Sequence, residues 1–210
     1  MDDYFLNLNK DNEHEFILEL EQYATDNNVP IVTKEGLELI KMLVKITKAK
    51  TILEIGTAIG YCSINLALLS KDIQIDTIER KEQMYNKALE NIDKINLSNQ
   101  INVFKDDALE FDLEKLNYRK YDIIFIDAAK AQYRRFFEKY STLLNDKGII
   151  ISDNLLFHGL VEKEEIDGKD LRALIRKIKN YNNWLFENDE FDTTFLRIGD
   201  GMAISIKKID

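Results

Sequence analysis

Residues 51–60 read TILEIGTAIG, and this stretch limits the chain to few folds. Thr51, Ile52, Leu53 and Ile55 have the apolar, strand-forming character of a buried parallel strand, with Glu54 set among them. The run breaks into the turn Gly56-Thr57-Ala58-Ile59-Gly60, and an apolar helical run follows from Tyr61 to Leu69. Strand, glycine turn and helix together present backbone N–H groups to a ligand at the carboxyl end of a sheet. Glu79 closes a second apolar strand. It lies about 20 residues on, the spacing at which nucleoside-binding folds hydrogen-bond a ribose.

The same rhythm continues along the chain. Strands are expected at 51–55, 73–78, 101–104, 121–126 and 148–152. Helices are expected at 61–69, 81–95, 132–144 and 169–180, with a weaker one near 110–116. Such alternation implies a parallel sheet with helices on both faces. The end differs: Thr193–Arg197 and Met202–Lys207 are strand-like and joined by Ile198-Gly199-Asp200-Gly201, a hairpin signal. An antiparallel hairpin therefore closes one edge of an α/β sheet. Ahead of the first strand, Phe16, Ile17, Leu20, Tyr23 and Ala24 recur at helical spacing, and Thr33 can cap a second helix running to about Thr47. These two helices form a cover, a lid or a subunit interface. The 210 residues, 45% hydrophobic with one proline, suit a single domain over 1–210, with 1–48 as an N-terminal helical cover.

The acidic start, MDDYFLNLNKDNEHE, has no export-signal pattern, no run is apolar enough to span a bilayer, and Cys62 is the one cysteine. A cytoplasmic location without membrane contact is expected. The formal charge of −9 opposes generic polyanion binding. It leaves room for local basic patches at Lys130, Arg134, Arg135 and Lys139, and at Arg172, Arg176, Lys177 and Lys179. On charge spacing alone both patches read as solvated helix faces.

The turn itself narrows the ligand. A dinucleotide fingerprint needs a middle glycine for approach to a pyrophosphate, and Ala58 holds that place. S-adenosylmethionine, an adenosine with a charged amino-acid tail and no phosphates, needs no such approach. Gly56 shapes its turn, Glu54 can pair with its ammonium, Glu79 can accept from both ribose hydroxyls, and Asp106-Asp107-Ala108 can meet its adenine edge. Tight strand–helix turns use glycine in many folds, so the ordered set carries the reading rather than the turn alone.

Two strands end in acid. Ile123–Ile126 runs into Asp127, and Ile149–Ser152 runs into Asp153-Asn154. Neighbouring parallel strands bring such ends together. Two carboxylates and an amide oxygen are a hard-oxygen set suited to Mg²⁺. A single acid at a strand end would read as a cap of the next segment; two acids and an asparagine weigh toward a site. Beside a cation an amine is more readily neutral, which makes Lys130 a candidate general base; otherwise it is a surface lysine starting a helix. His14 and His158 are the only histidines, so a Ser-His-Asp mechanism has little material. Cys62 reads as a small buried residue rather than a nucleophile.

At these residues the chain resembles the Mg²⁺-dependent, catechol-type O-methyltransferases. ILEIGTAIGYCSINLA, IDTIER, DDALE, IIFIDAAKAQYRRFFE, IISDN and IGDGMAISIKK fit that family in order, over nearly the whole chain. The resemblance implies a Rossmann-like class I methyltransferase fold with a mostly parallel seven-stranded sheet. It implies cofactor contacts at Val32, Cys62, Glu79, Asp107, Ala108 and Asp127, and metal ligands at Asp127, Asp153 and Asn154. Two positions depart from the pattern: Cys62 stands where serine is common, and Arg197 where proline is frequent. The AAKAQYRRFFE stretch is most similar to the bacterial tRNA 5-hydroxyuridine methyltransferases. That implies a tRNA anticodon loop as substrate, with Lys130, Arg134 and Arg135 meeting phosphates and Tyr133 or Phe157 stacking on an unpaired base. The alternatives are a small catechol as substrate and, in another class, a non-catalytic cofactor- or RNA-binding module. The implied chemistry is in-line displacement of the sulfonium methyl by a substrate oxygen, with Asp127 among the metal ligands and Lys130 taking the proton. Members of the family often form homodimers, and the stripe on the first helix suits either a dimer or core packing.

Overall fold

A computed structural model describes Leu8 and residues 14–208. From residue 14 to the first strand the described residues form α1 (Glu15–Asp26) and α2 (Lys34–Thr47). There follow β1 (Thr51–Ile55), α3 (Tyr61–Ala67), β2 (Gln74–Glu79), α4 (Glu82–Lys94), β3 (Ile101–Lys105), β4 (Tyr121–Ile126), α5 (Tyr133–Tyr140), β5 (Leu144–Ser152) and α6 (Lys169–Phe186). The chain closes with β6 (Phe191–Leu196) and β7 (Met202–Lys207).

These strands form one seven-stranded sheet in the order β3-β2-β1-β4-β5-β7-β6. The first five in sequence pair in parallel; β7 runs antiparallel between β5 and β6. The expected architecture is therefore present. The chain winds outward from β1 through β3, then returns to the other side of β1 with β4. Where the order reverses, the carboxyl ends of β1 and β4 open a crevice, the usual ligand site of such sheets.

Alternation along each strand splits the core. Ile123 and Phe125 of β4 face one layer with Ile17, Leu20, Ile40 and Val44 of α1 and α2. Ile124 and Ile126 face the other with Phe136, Phe137 and Tyr140 of α5 and Tyr181 of α6. The two leading helices thus bury their inward stripe on the sheet. Thr33 caps α2, its Oγ1 accepting from Gly36 N–H at 3.2 Å.

Three boundaries differ from the sequence reading. The helix expected over 132–144 stops at Tyr140, and β5 begins at Leu144. Leu144 is buried opposite Tyr121, and a register shift follows in which Asn145 Nδ2 donates to Asp122 Oδ1 at 2.7 Å. Long-range pairing has overridden local helix propensity there. The weak helix near 110–116 is only a 3-10 turn at Leu113–Lys115, and α6 continues to Phe186. Among the described residues no helix is long and apolar enough to cross a membrane.

Candidate active site

Gly56 joins β1 to the crevice. Its φ is +109°, and a Cβ placed there would lie 2.0 Å from the Asp127 carbonyl oxygen. Gly56 N–H donates to Ile78 O at 3.1 Å, and Asp127 N–H donates to Ile55 O at 3.0 Å. The turn is therefore wedged between the ends of β2 and β4, and only glycine fits. Ala58 also takes a positive φ, 47°, which aims its N–H at Glu79 Oε2, 3.0 Å away. Lys81 N–H donates to Glu79 Oε1 at 2.8 Å. Two amides fix the Glu79 carboxylate and leave it spare lone pairs for hydroxyl donors.

Past β3, Asp107 Oδ1 accepts from Leu109 N–H at 2.9 Å. Tyr140 Oη donates to Ala108 O at 2.7 Å, and Lys139 Nζ donates to Leu109 O and Phe111 O at 2.8 and 2.7 Å. These bonds hold the Asp107-Ala108 loop against α5. The result is a cavity of about 320 Å³ whose walls include Gly56, Glu79, Asp107, Ala108, Asp127 and Lys130. Six expected site residues thus share one space, with Val29, Pro30 and Met84 adding apolar wall.

Three expected cofactor contacts are set back from this wall. Val32 packs in the core with α2. Cys62, on α3, is buried, and burial pushes its thiol well up, followed by the charge of Glu54. That agrees with a small packed residue rather than a nucleophile. Glu54 is 2% exposed and sits beneath the turn. Thr77 Oγ1 donates to its Oε2 at 2.6 Å, and Ser63 Oγ donates to the same oxygen.

Burial raises the Glu54 carboxyl from 4.5 to about 7, against the lowering hydrogen bonds from Ser63 and Thr77. The folded protein holds this proton more tightly than the unfolded chain does. The stability it contributes is full below pH 4.5 and falls as pH rises to about 7. At 1.36 kcal/mol per tenfold change, the loss is about 3 kcal/mol. Glu54→Gln keeps acceptor and shape without the charge. In the cofactor-free protein it is expected to gain stability relative to the parent between pH 5 and pH 8, as urea unfolding at each pH would measure.

The second half of the site comes from β4 and β5. Ile126 and Ser152 are in register, so Asp127 and Asp153 follow side by side, and Asp153 N–H donates to Ile126 O at 3.2 Å. Lys130 Nζ donates to Asp127 Oδ1 at 2.9 Å. Asp153 is 1% exposed; its Oδ1 accepts from Asn154 N–H at 2.6 Å, and its Oδ2 is buried without a partner. Burial, then the Asp127 carboxylate, push Asp153 well above the usual carboxylate range. An anion so placed is unfavourable until an opposite charge arrives. Among the described residues no three His, Cys, Asp or Glu side chains form a metal cluster. Two carboxylates, Asp127 and Asp153, stand at adjacent strand ends with Asn154 next in the chain; of the three only Asp127 lines the cavity, and the orphaned Asp153 oxygen fits a hard cation.

The basic rim is smaller than the sequence suggests. Lys139 is committed to the Leu109 and Phe111 carbonyls and Lys130 to Asp127. Arg134 Nε donates to Glu138 at 2.8 Å, and its guanidinium lies 5.0 Å over the Trp184 ring. Tyr133, expected to stack on a base, is 1% exposed and packs edge-on to Tyr181 at 5.5 Å, so it has no free face. Sequence reasoning missed Asp200. Local sequence marks Asp200 only as a hairpin-turn residue, yet the tip folds back over the end of β5, and its carboxylate adds a small upward push on Asp153 behind burial and Asp127.

Known proteins resemble this chain over nearly its whole length. The O-methyltransferase family model matches residues 8–208. Tapetum-specific methyltransferase 1 of Arabidopsis thaliana is 33% identical over 201 residues, covering 91% of this chain and 86% of its own. A caffeoyl-CoA O-methyltransferase of Populus kitakamiensis is 31% identical with the same coverage, 91% and 86%. The crystal structure of a candidate caffeoyl-CoA O-methyltransferase from Staphylococcus aureus superposes with a TM-score of 0.92 at 43% identity, covering 98% of both chains. An O-methyltransferase from Bacillus cereus, solved with S-adenosylhomocysteine, gives 0.82 at 27% identity, covering 97% of this chain and 96% of that one. The chain therefore belongs to the O-methyltransferase family.

Proposed function

We propose that the protein transfers the methyl group of S-adenosylmethionine to one oxygen of a small molecule bearing two vicinal oxygens, as in a catechol. One observation carries this reading. The buried, unpartnered Asp153 Oδ2 follows a strand in register with the one leading to Asp127, and Asp127 also lines the cavity that holds Glu79 and Asp107. Relatives named for caffeoyl-CoA and catechol chemistry support the substrate class. The Bacillus cereus structure with S-adenosylhomocysteine supports the methyl donor.

Glu79 would accept from the ribose hydroxyls and Asp107 from the adenine edge. Val29, Pro30 and Met84 would exclude water from the adenosine. Asp127, Asp153 and Asn154 would hold Mg²⁺. Bound there, the ion supplies Lewis acidity and a template for two substrate oxygens. Lys130 Nζ, on the cavity wall and 2.9 Å from Asp127 Oδ1, would receive the hydroxyl proton only when Asp127 is committed to the ion and no longer pairs with the ammonium.

The test is transfer of labelled methyl to three acceptors: a catechol acid, its monohydroxy counterpart, and tRNA carrying 5-hydroxyuridine. Transfer to the catechol alone is the expected result. Transfer to tRNA with none to the catechol would replace this substrate class with the RNA one.

A further inference from the structure

We propose that Asp200 is a positioning residue: from the β6–β7 tip it clamps the Leu155–His158 backbone and so sets Asn154 beside Asp153. The segment after β5 is unusual. Asn154, Phe157 and His158 all adopt left-handed φ, at 59°, 46° and 55°. Residues other than glycine persist there only when their surroundings over-determine the backbone. The hairpin tip supplies that constraint. Leu155 N–H donates to Gly201 O at 2.9 Å and Leu156 N–H to Asp200 O at 2.8 Å. His158 N–H donates to Asp200 Oδ1 at 2.6 Å, the short distance of a bond to a charged acceptor. Gly201 is needed for this approach, since a Cβ there would lie 2.6 Å from Leu156 Cγ.

A second latch holds the far end of the segment. Arg197, at the other side of the hairpin tip, binds Glu162 through both terminal guanidinium nitrogens, Nη1 donating to Oε2 at 3.2 Å and Nη2 to Oε1. On the inner side, Asn182 Nδ2 of α6 donates to Leu155 O at 3.2 Å. Asn154 thus hangs from a backbone fixed on both sides. Among the described residues, Asp200 is the one whose side-chain carboxylate accepts from the Leu155–His158 backbone. The clamp stands on these contacts; its link to a metal rests on the function proposed above.

Amide exchange and Mn²⁺ binding separate the two. In the parent protein the His158 amide should exchange slowly, although its side chain is 81% exposed. Asp200→Ala should speed exchange at His158 about tenfold while leaving β1 amides unchanged. Asp200→Asn, which keeps an acceptor oxygen, should retain most of the protection. Mn²⁺ bound to the S-adenosylmethionine complex, read by electron paramagnetic resonance, should weaken about tenfold in Asp200→Ala and less in Asp200→Asn. Fast exchange at His158 in the parent would overturn the clamp, a result needing no variant. So would equal exchange in Asp200→Ala and Asp200→Asn. Lost protection with unchanged Mn²⁺ affinity would overturn the positioning role. If the parent binds no Mn²⁺ while the exchange results hold, the clamp survives and the metal reading fails.

Discussion

Gly56→Ala is expected to destabilise the protein by about 4 kcal/mol, a large part of the roughly 5–15 kcal/mol that keeps a domain folded. Two costs combine. The backbone φ of +109° is one an alanine rarely adopts, and the new methyl would sit 2.0 Å from the Asp127 carbonyl oxygen. Neither neighbour can yield cheaply, because Asp127 N–H is bonded to Ile55 O and Gly56 N–H to Ile78 O. Relief would pry β4 from β1 at the crevice. Urea unfolding would measure the loss. A change under about 1 kcal/mol would mean that the turn relaxes easily and does not set the spacing of the crevice.

Much of this was legible in the sequence because the signals were local. The apolar run before Gly56, the cap at Thr33 and the acids closing two strands each declare themselves within a few residues. One further local signal runs against the base-stacking expectation for Tyr133. Tyr133, Phe136, Phe137 and Tyr140 are spaced as one helical stripe, and all four are buried. That pattern marks Tyr133 as core, whatever basic residues flank it. Other features depend on partners far along the chain. Leu144 is a strand residue because Tyr121 lies opposite it. Glu54 is sealed by Thr77, 23 residues on, and by Ser63, contacts that its place two residues before Gly56 does not report. Asp200 is 42 residues from the His158 amide it binds. No local pattern reports such contacts.

The second large effect separates stability from activity. Asp153→Asn is expected to lower kcat/KM by about 10³-fold, the scale of several kcal/mol of transition-state stabilisation. Stability should not fall. The asparagine keeps an oxygen for the Asn154 N–H, and it removes a carboxyl that burial and Asp127 disfavour as an anion. Affinity for S-adenosylmethionine should survive, since Glu79 and Asp107 are held by their own amides. Calorimetric titration with the cofactor and urea unfolding would check both. A variant that loses cofactor binding and activity together would place Asp153 in the adenosine half of the site.

The most direct test of the central claim is labelled methyl transfer to a catechol acid, measured in excess chelator and again after Mg²⁺ is restored. Transfer absent with chelator, and regained with Mg²⁺ in the parent but not in Asp153→Asn, is the expected result. Full transfer in chelator by both proteins would contradict the assignment of Asp127, Asp153 and Asn154 to a metal.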